Sequence, residues 1–263
     1  MANPICLSPL RFYEDISSQA FRKSYAYNHI VPLVLPTGHI PSFQFSYIGD
    51  LISTQFVHIW SVKSGKNIAT VEPEQTNLFS FTENGHTIVM CKGFDVSSST
   101  SEGEFYITIG KFCSDVFSWS GKLTNNADDF IKLQYKNNSG SFRLKGGTIS
   151  FEYEFEFELY LLTELGKPEY IFEEEATKRL GYNFIESQVS KKVYKFNTIG
   201  PEYLCDAMRI IRLCDTKQLT YKSQLYDMLS FDMDVDWQTQ GDLASITCEF
   251  ETDNIIVNLG GTT

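Results

Sequence analysis

The stretch FEYEFEFELYLL, residues 151–162, alternates aromatic and aliphatic residues with Glu152, Glu154, Glu156 and Glu158. FDMDVDW repeats the pattern with Asp232, Asp234 and Asp236, and CEFETD adds Glu249, Glu251 and Asp253. On a strand, such alternation puts each acidic row on one face. Two chemistries use carboxylates in number. A glycosidase sets two of them, with separated pKa values, across a cleft. Evenly spaced acids on one strand face share a single environment, so nothing separates their pKa values. Calcium takes about six to eight oxygens, usually from a compact loop. The loop NNADD (125–129) has suitable residues but no EF-hand spacing. A solvated face remains, with one difficulty: like charges directly opposite on paired strands repel by roughly a few tenths of a kcal/mol each. SKKVYK offers relief, with Lys191 and Lys195 on one face and Lys192 on the other.

Other chemical motifs are missing. The sequence has no G-x-S-x-G, H-E-x-x-H, G-x-x-x-x-G-K-[ST], or G-x-G-x-x-G leading into a helix. His29, His39, His58 and His86 are scattered rather than paired at ligand spacing, and His58 shares a strand face with Phe56 and Trp60, as a core or interface histidine does. The six cysteines form no C-x-x-C pair and read as small buried thiols. No catalytic residue, metal site or cofactor is expected.

The elements that carry the acidic rows follow from period-two alternation. SFQFSYI (42–48), TQFVHIWSV (54–62), HTIVMCKGF (86–94), EFYITIG (104–110) and CSDVFSWSG (113–121) are separated by turn signals at 63–67, 82–86 and 97–104. They predict an Ig-like β-sandwich over 41–122, without the Cys…Trp…Cys spacing of antibody domains. LTNNADD (123–129) reads as a linker. A second β-rich domain, a sandwich or rolled sheet, is predicted over 123–263. Its strands lie at 130–136, 149–162, 189–199, 224–237 and 243–259, with hairpin signals at NNSG (137–140) and TQGD (239–242). Pro201 suits a first helical position, and PEYLCDAMRIIRLC carries an apolar stripe, so one α-helix is predicted near 201–213 and packed on the sheet. The fold class is therefore all-β. Residues 1–40 are apolar but irregular, with Pro4, Pro9, Pro32 and Pro36. They read as an N-terminal arm packing on the C-terminal domain or on a neighbour, with Arg11, Phe12, Tyr13, Phe21, Tyr25 and Tyr27 as inter-subunit contacts.

The totals bound the class. With 263 residues, 42% hydrophobic and 14% aromatic, the chain can bury large cores. A net charge of −11 argues against specific nucleic-acid recognition and against anionic membranes, because both need clustered Lys and Arg. No apolar run reaches the length of a membrane span, and MANPICLSPLRFYEDI lacks the pattern of a signal peptide. Synthesis in a cytoplasm without membrane insertion is expected.

ELGKPEYIFEEEATKRLGYNFIESQVSKKVYKFNTIGPEYLCDAMRIIRL (164–213), followed by DVDWQTQGDLASITCEFETDNII (234–256), resembles proteins of Bacteroidetes bacteriophages and prophages, as do NPICLSPLRFYEDI and VPLVLP near the start. The resemblance covers both ends of the chain and implies a non-enzymatic structural protein of the virion, in the tail, its hub or the connector. It implies other virion proteins as partners, a homo-oligomeric ring and DNA passing through or beside it, and it transfers no site residue. The acidic rows would then face a ring lumen or solvent, where they repel a transiting polyanion. In an alternative reading the Ig-like unit is a carbohydrate-binding adhesin, with Trp60, Trp119 and Trp237 as aromatic platforms.

Overall fold

The computed structural model describes residues 5–6, 8–14, 32–50, 55–76, 78–83, 85–96, 102–125, 129–137, 141–144, 147–150, 156–238 and 242–258. Within them the chain is mostly β-strand in several sheets, the all-β class that its alternation predicts.

Residues up to 120 build two main sheets. One runs in the order Ile5–Cys6, Phe43–Tyr47, His86–Cys91, Phe79–Glu83. The other is centred on Gly103–Ile109, which pairs with Val57–Ser61 on one side and with Phe117–Ser120 and Phe112–Ser114 on the other. Aromatic rings join the sheets. Phe12 lies 4.4 Å from Phe45 and 4.9 Å from Phe43 between ring centroids, and Phe112 lies 5.1 Å from Phe45. All four rings are buried, so their transfer from water drives the two sheets together.

The N-terminal segment departs from the expected arm. Ile5–Cys6 adds to the first sheet, Phe12–Tyr13 pairs with Cys113 and Ser114, and Leu33–Pro36 runs parallel to Phe117–Ser120. Arg11, Phe12 and Tyr13 therefore lie within this chain's own structure instead of reaching for a neighbour. The reason is burial: Phe12 is 1% exposed and its ring completes the core. Phe21, Tyr25 and Tyr27 lie outside the described residues.

Beyond residue 129 two further four-stranded sheets form, and among the described residues they share no strand with the first two. One has the order Phe157–Leu161, Ile131–Lys136, Thr216–Tyr221, Gln224–Asp227; the other has Glu169–Arg179, Tyr182–Pro201, Leu243–Asn258, Asp232–Trp237. The expected hairpin at 239–242 joins paired neighbours, with Trp237 opposite Ala244. The one at 137–140 does not: Ile131–Lys136 pairs with Phe157–Leu161 and Thr216–Tyr221, and Ser141–Leu144 pairs with Gly147–Ser150. The linker expected at 123–129 begins inside a helical turn, Gly121–Asn125, with Leu123 buried.

The helix Glu202–Ile211 buries Tyr203, Leu204, Cys205, Ala207, Met208, Ile210 and Ile211. Pro201 precedes the first helical residue in an extended conformation, because the long strand continues up to it. The corner is tight: a Cβ on Gly200 would run into the Leu204 side chain, 3.2 Å from its Cβ. Buried residues of both halves, from Leu10 to Phe250, form one continuous cluster.

Two stability changes are expected. Tyr135 is fully buried, and among the described residues its hydroxyl has no hydrogen-bond partner. Tyr135→Phe removes that burden and is expected to stabilise the chain by about 1 kcal/mol. Gly200→Ala overpacks the strand-to-helix corner and is expected to cost about 1–3 kcal/mol. Urea unfolding of the two variants checks both signs.

Candidate functional site

A dense polar cluster lies where the two halves meet. In Phe157–Leu161, alternation puts Glu158 and Tyr160 on one face, and the register sets Lys132 opposite Tyr160 and Gln134 opposite Glu158. From the other half comes His39, following the turn residue Gly38, whose φ of 78° suits glycine. Trp119 Nε1 donates to the His39 carbonyl at 2.9 Å and fixes the backbone there. His39 Nε2 lies 2.9 Å from Glu158, and Nδ1 lies 2.8 Å from Asp95, its direct cross-strand neighbour. Lys132 Nζ reaches Glu158 at 2.6 Å, and the Tyr160 hydroxyl donates to it at 3.0 Å.

The charges follow from this geometry. Burial disfavours the His39 imidazolium, but the hydrogen bonds and charges of Glu158 and Asp95 outweigh it, so the pKa lies above 6.5. Burial likewise opposes the Glu158 carboxylate, yet His39 and Lys132 bring its pKa down to about 2. Burial and then the Glu158 charge push the Tyr160 phenol up, leaving it a donor. When protonated, the imidazole donates to a carboxylate from each nitrogen, and the cluster is a clamp between the halves.

A second clamp lies along the same seam. Arg11 Nε pairs with the buried Asp115 at 2.9 Å, and the guanidinium sits 4.8 Å from the ring centre of Tyr203 on the helix. A cleft of about 470 Å³ also opens along the seam, lined by Leu33, Val34, Tyr160, Leu161, Tyr203 and Leu204 among others.

The acidic rows part company. Glu158, expected on a free acidic face, has its side chain only 16% exposed and serves the clamp, since two cations hold it. Glu156 accepts from Gln134. Glu152 and Glu154 lie outside the described residues. Asp232, Asp234 and Asp236 are exposed on the outer face of their sheet. Asp232 stands directly opposite Glu249, the like-charge pairing that the sequence warned of, while Asp234 and Asp236 face Thr247 and Ser245. Cations flank the pair: Arg212 reaches Asp232 at 3.0 Å, and Lys195 reaches Glu249 at 3.3 Å and Glu169 at 2.9 Å. Lys191 holds Glu173 at 2.7 Å. The acids that these lysines meet are thus 169, 173 and 249, from strands that the sequence did not pair with them.

A feature missed by sequence reasoning is the strand Glu169–Arg179. Every residue from 169 to 178 is exposed, on both strand faces. With the distal parts of Tyr182–Pro201 and Leu243–Asn258 it forms a three-stranded ribbon carrying exposed Tyr170, Ile171, Phe172, Leu180, Tyr182 and Ile255. Of the tryptophans, Trp119 is buried, Trp237 is exposed, and Trp60 stacks on Tyr106 at 6.4 Å with an interplanar angle of 8°. Cys91, Cys113, Cys205, Cys214 and Cys248 are buried. Among the described residues no acid, histidine and cysteine group is arranged to hold a metal ion, and no helix is long and apolar enough to cross a membrane.

The clamp has a pH signature. His39, its pKa raised, contributes stability fully present below pH 6.5 and lost as pH rises through its folded value. Glu158, its pKa depressed, contributes stability present above about pH 4.5 and lost as pH falls toward 2. Both operate between about pH 4.5 and 6.5. Glu158→Gln is expected to cost about 1–3 kcal/mol in that window, with a smaller cost above the folded pKa of His39. Urea titrations across pH check it, and a cost independent of pH would show that the imidazolium plays no part.

No protein-family model matches this chain, and no curated protein matches it.

Proposed function

We propose that this chain is a non-enzymatic structural subunit of a bacteriophage virion, a ring component of the tail, tail hub or connector, working by shape and charge. The observation that carries the reading is the ribbon. Among the described residues of this three-stranded ribbon the edge strand is exposed on both faces, and the ribbon holds Tyr170, Phe172, Tyr182 and Ile255 in the open. Such an element has a physical rationale when neighbours in an assembly cover it. The resemblance of residues 164–213 and 234–256 to Bacteroidetes phage proteins supplies the kind of assembly. In this reading the N-terminal half is an Ig-like sandwich and the chain is found in the virion with other virion proteins. The outer row Asp232, Asp234, Asp236 adds to a net charge of −11 and keeps DNA from adhering as it passes.

A second reading rests on Trp60 and Tyr106. Their near-parallel rings share an outward sheet face with a polar network in which Trp60 Nε1 donates to Thr108 and Asn67 donates to Thr70. This is the composition of a sugar platform, and the reading makes the N-terminal half an adhesin. Glycan-array hits lost in Trp60→Ala would favour it over the ring.

For the subunit reading, native mass spectrometry and negative-stain imaging of the chain at rising concentration are expected to show closed multimers. A chain that stays monomeric throughout, and whose position in the particle no density occupies, would sink it. Replacing Asp232, Asp234 and Asp236 together by Lys is expected to create salt-sensitive retention of duplex DNA that the native chain lacks. Equal retention by both would remove the role given to the acidic face.

A further inference from the structure

The ribbon edge itself names a partner. Among the described residues, Glu169–Arg179 pairs with Tyr182–Pro201 on one side and with nothing on the other. Its ladder has a register shift between Glu175 and Ala176, where Ser187 and Ile185 are the successive partners, so the extra residue, 186, belongs to the inner strand. The edge strand therefore keeps one residue per position along its whole length. A long, exposed and regular edge is a template for another strand. Natural edges of this kind are guarded by charge, and this one carries Glu173, Glu174 and Glu175, which repel a parallel copy in register.

One arrangement turns the guard into an attraction. We propose that two copies of this chain pair antiparallel through this edge, about a two-fold axis at Ala176. Residue numbers facing each other then sum to twice 176, so Glu174 of each copy lies opposite Lys178 of the other, and both residues are exposed on the same strand face. Phe172, 63% exposed, comes beside Leu180, 95% exposed in the hairpin turn. One operation thus satisfies two ion pairs, the open edge and two of the most exposed apolar side chains. Shifting the register by two residues puts Glu174 opposite residue 176 or residue 180 and loses the charge match. The contact is isologous and closes at two, so any ring must be completed through another surface. It concerns two copies of this chain and holds whether or not the phage reading does.

A charge-swap cycle tests it on the full chain. Glu174→Lys and Lys178→Glu alone each create two like-charge pairs and are expected to weaken dimerisation about tenfold in analytical ultracentrifugation, with folding monitored by circular dichroism. The double variant restores the native level. Mixing the two single variants gives a heterodimer, because the new lysine of one copy then faces the new glutamate of the other, while the unaltered Lys178 and Glu174 face each other. Ala176→Cys is expected to form a disulfide-linked dimer on mild oxidation, and Glu173→Cys is not, since residue 173 does not meet its own copy. A native chain that stays monomeric, no heterodimer in the mixture, or equal cross-linking at 173 and 176 each overturns the proposal. Multimers that persist through the whole cycle overturn this contact and leave the subunit reading standing.

Discussion

The strands Tyr182–Pro201 and Leu243–Asn258 pair continuously from Ser187 opposite Asn258 to Pro201 opposite Leu243. That one ladder governs the C-terminal half. Backbone hydrogen bonds satisfy themselves along it whether or not the flanking faces are dry, so the pairing can extend far beyond the core that anchors it. At one end Phe196, Ile246, Cys248 and Phe250 are buried under the helix and the neighbouring sheet. At the other the same two strands emerge with Ile255 and Tyr182 in water. The anchored end holds the projecting end in a fixed direction. A bulge where Glu251 and Asp253 succeed each other opposite Val193 and Lys192 marks the passage from core to ribbon.

The seam between the halves uses a different device. Apolar packing alone would let them slide, since buried area is indifferent to small displacements. The His39–Glu158 pair and the Arg11 guanidinium over Tyr203 are directional contacts across the seam, with Asp115 of the N-terminal half holding Arg11 in place. Each clamp also pairs an ion with an aromatic ring, Lys132 over Tyr160 and Arg11 over Tyr203. The rings limit how much water reaches the charges, which strengthens the attraction within each clamp. Their specificity matters more than their net energy, because desolvation offsets much of the Coulomb term. Register between the halves is what such contacts define.

Sequence pattern reveals the elements that a core has shaped. The helix is legible in PEYLCDAMRIIRLC because seven of its residues must face inward, and Asp232–Trp237 because Met233 and Val235 must as well. EYIFEEEATKR does not read as a strand, and the physical reason is that neither of its faces is buried, so nothing imposes alternation on it. The N-terminal strands escape for another reason. Two-residue strands such as Phe12–Tyr13 carry no period, and their burial depends on partners a hundred residues away. The clamp is equally hidden: Glu158 belongs to an alternating row, and its one local mark is that the row ends in Tyr160. Only tertiary contact distinguishes Glu158 from the exposed acids.

That distinction bears on why one chain carries so many acids on strand faces. Where acidic strands meet each other, the structure supplies cations at the junction, as Arg212 and Lys195 do around Asp232 and Glu249. These exposed bridges contribute little individually to stability. Their effect is to cancel local repulsion so that the strands can lie side by side. Asp234 and Asp236 need no such help, because Thr247 and Ser245 are their neighbours, and their charge is left to act outward. Neutralising charge only where strands touch, while leaving it where the sheet faces solvent, keeps the fold compatible with a strongly negative surface. On the open edge of the ribbon the proposed dimer would use the same principle between molecules: Glu174 and Lys178 sit four residues apart on one exposed face, and an antiparallel second copy centred on Ala176 brings opposite signs together there.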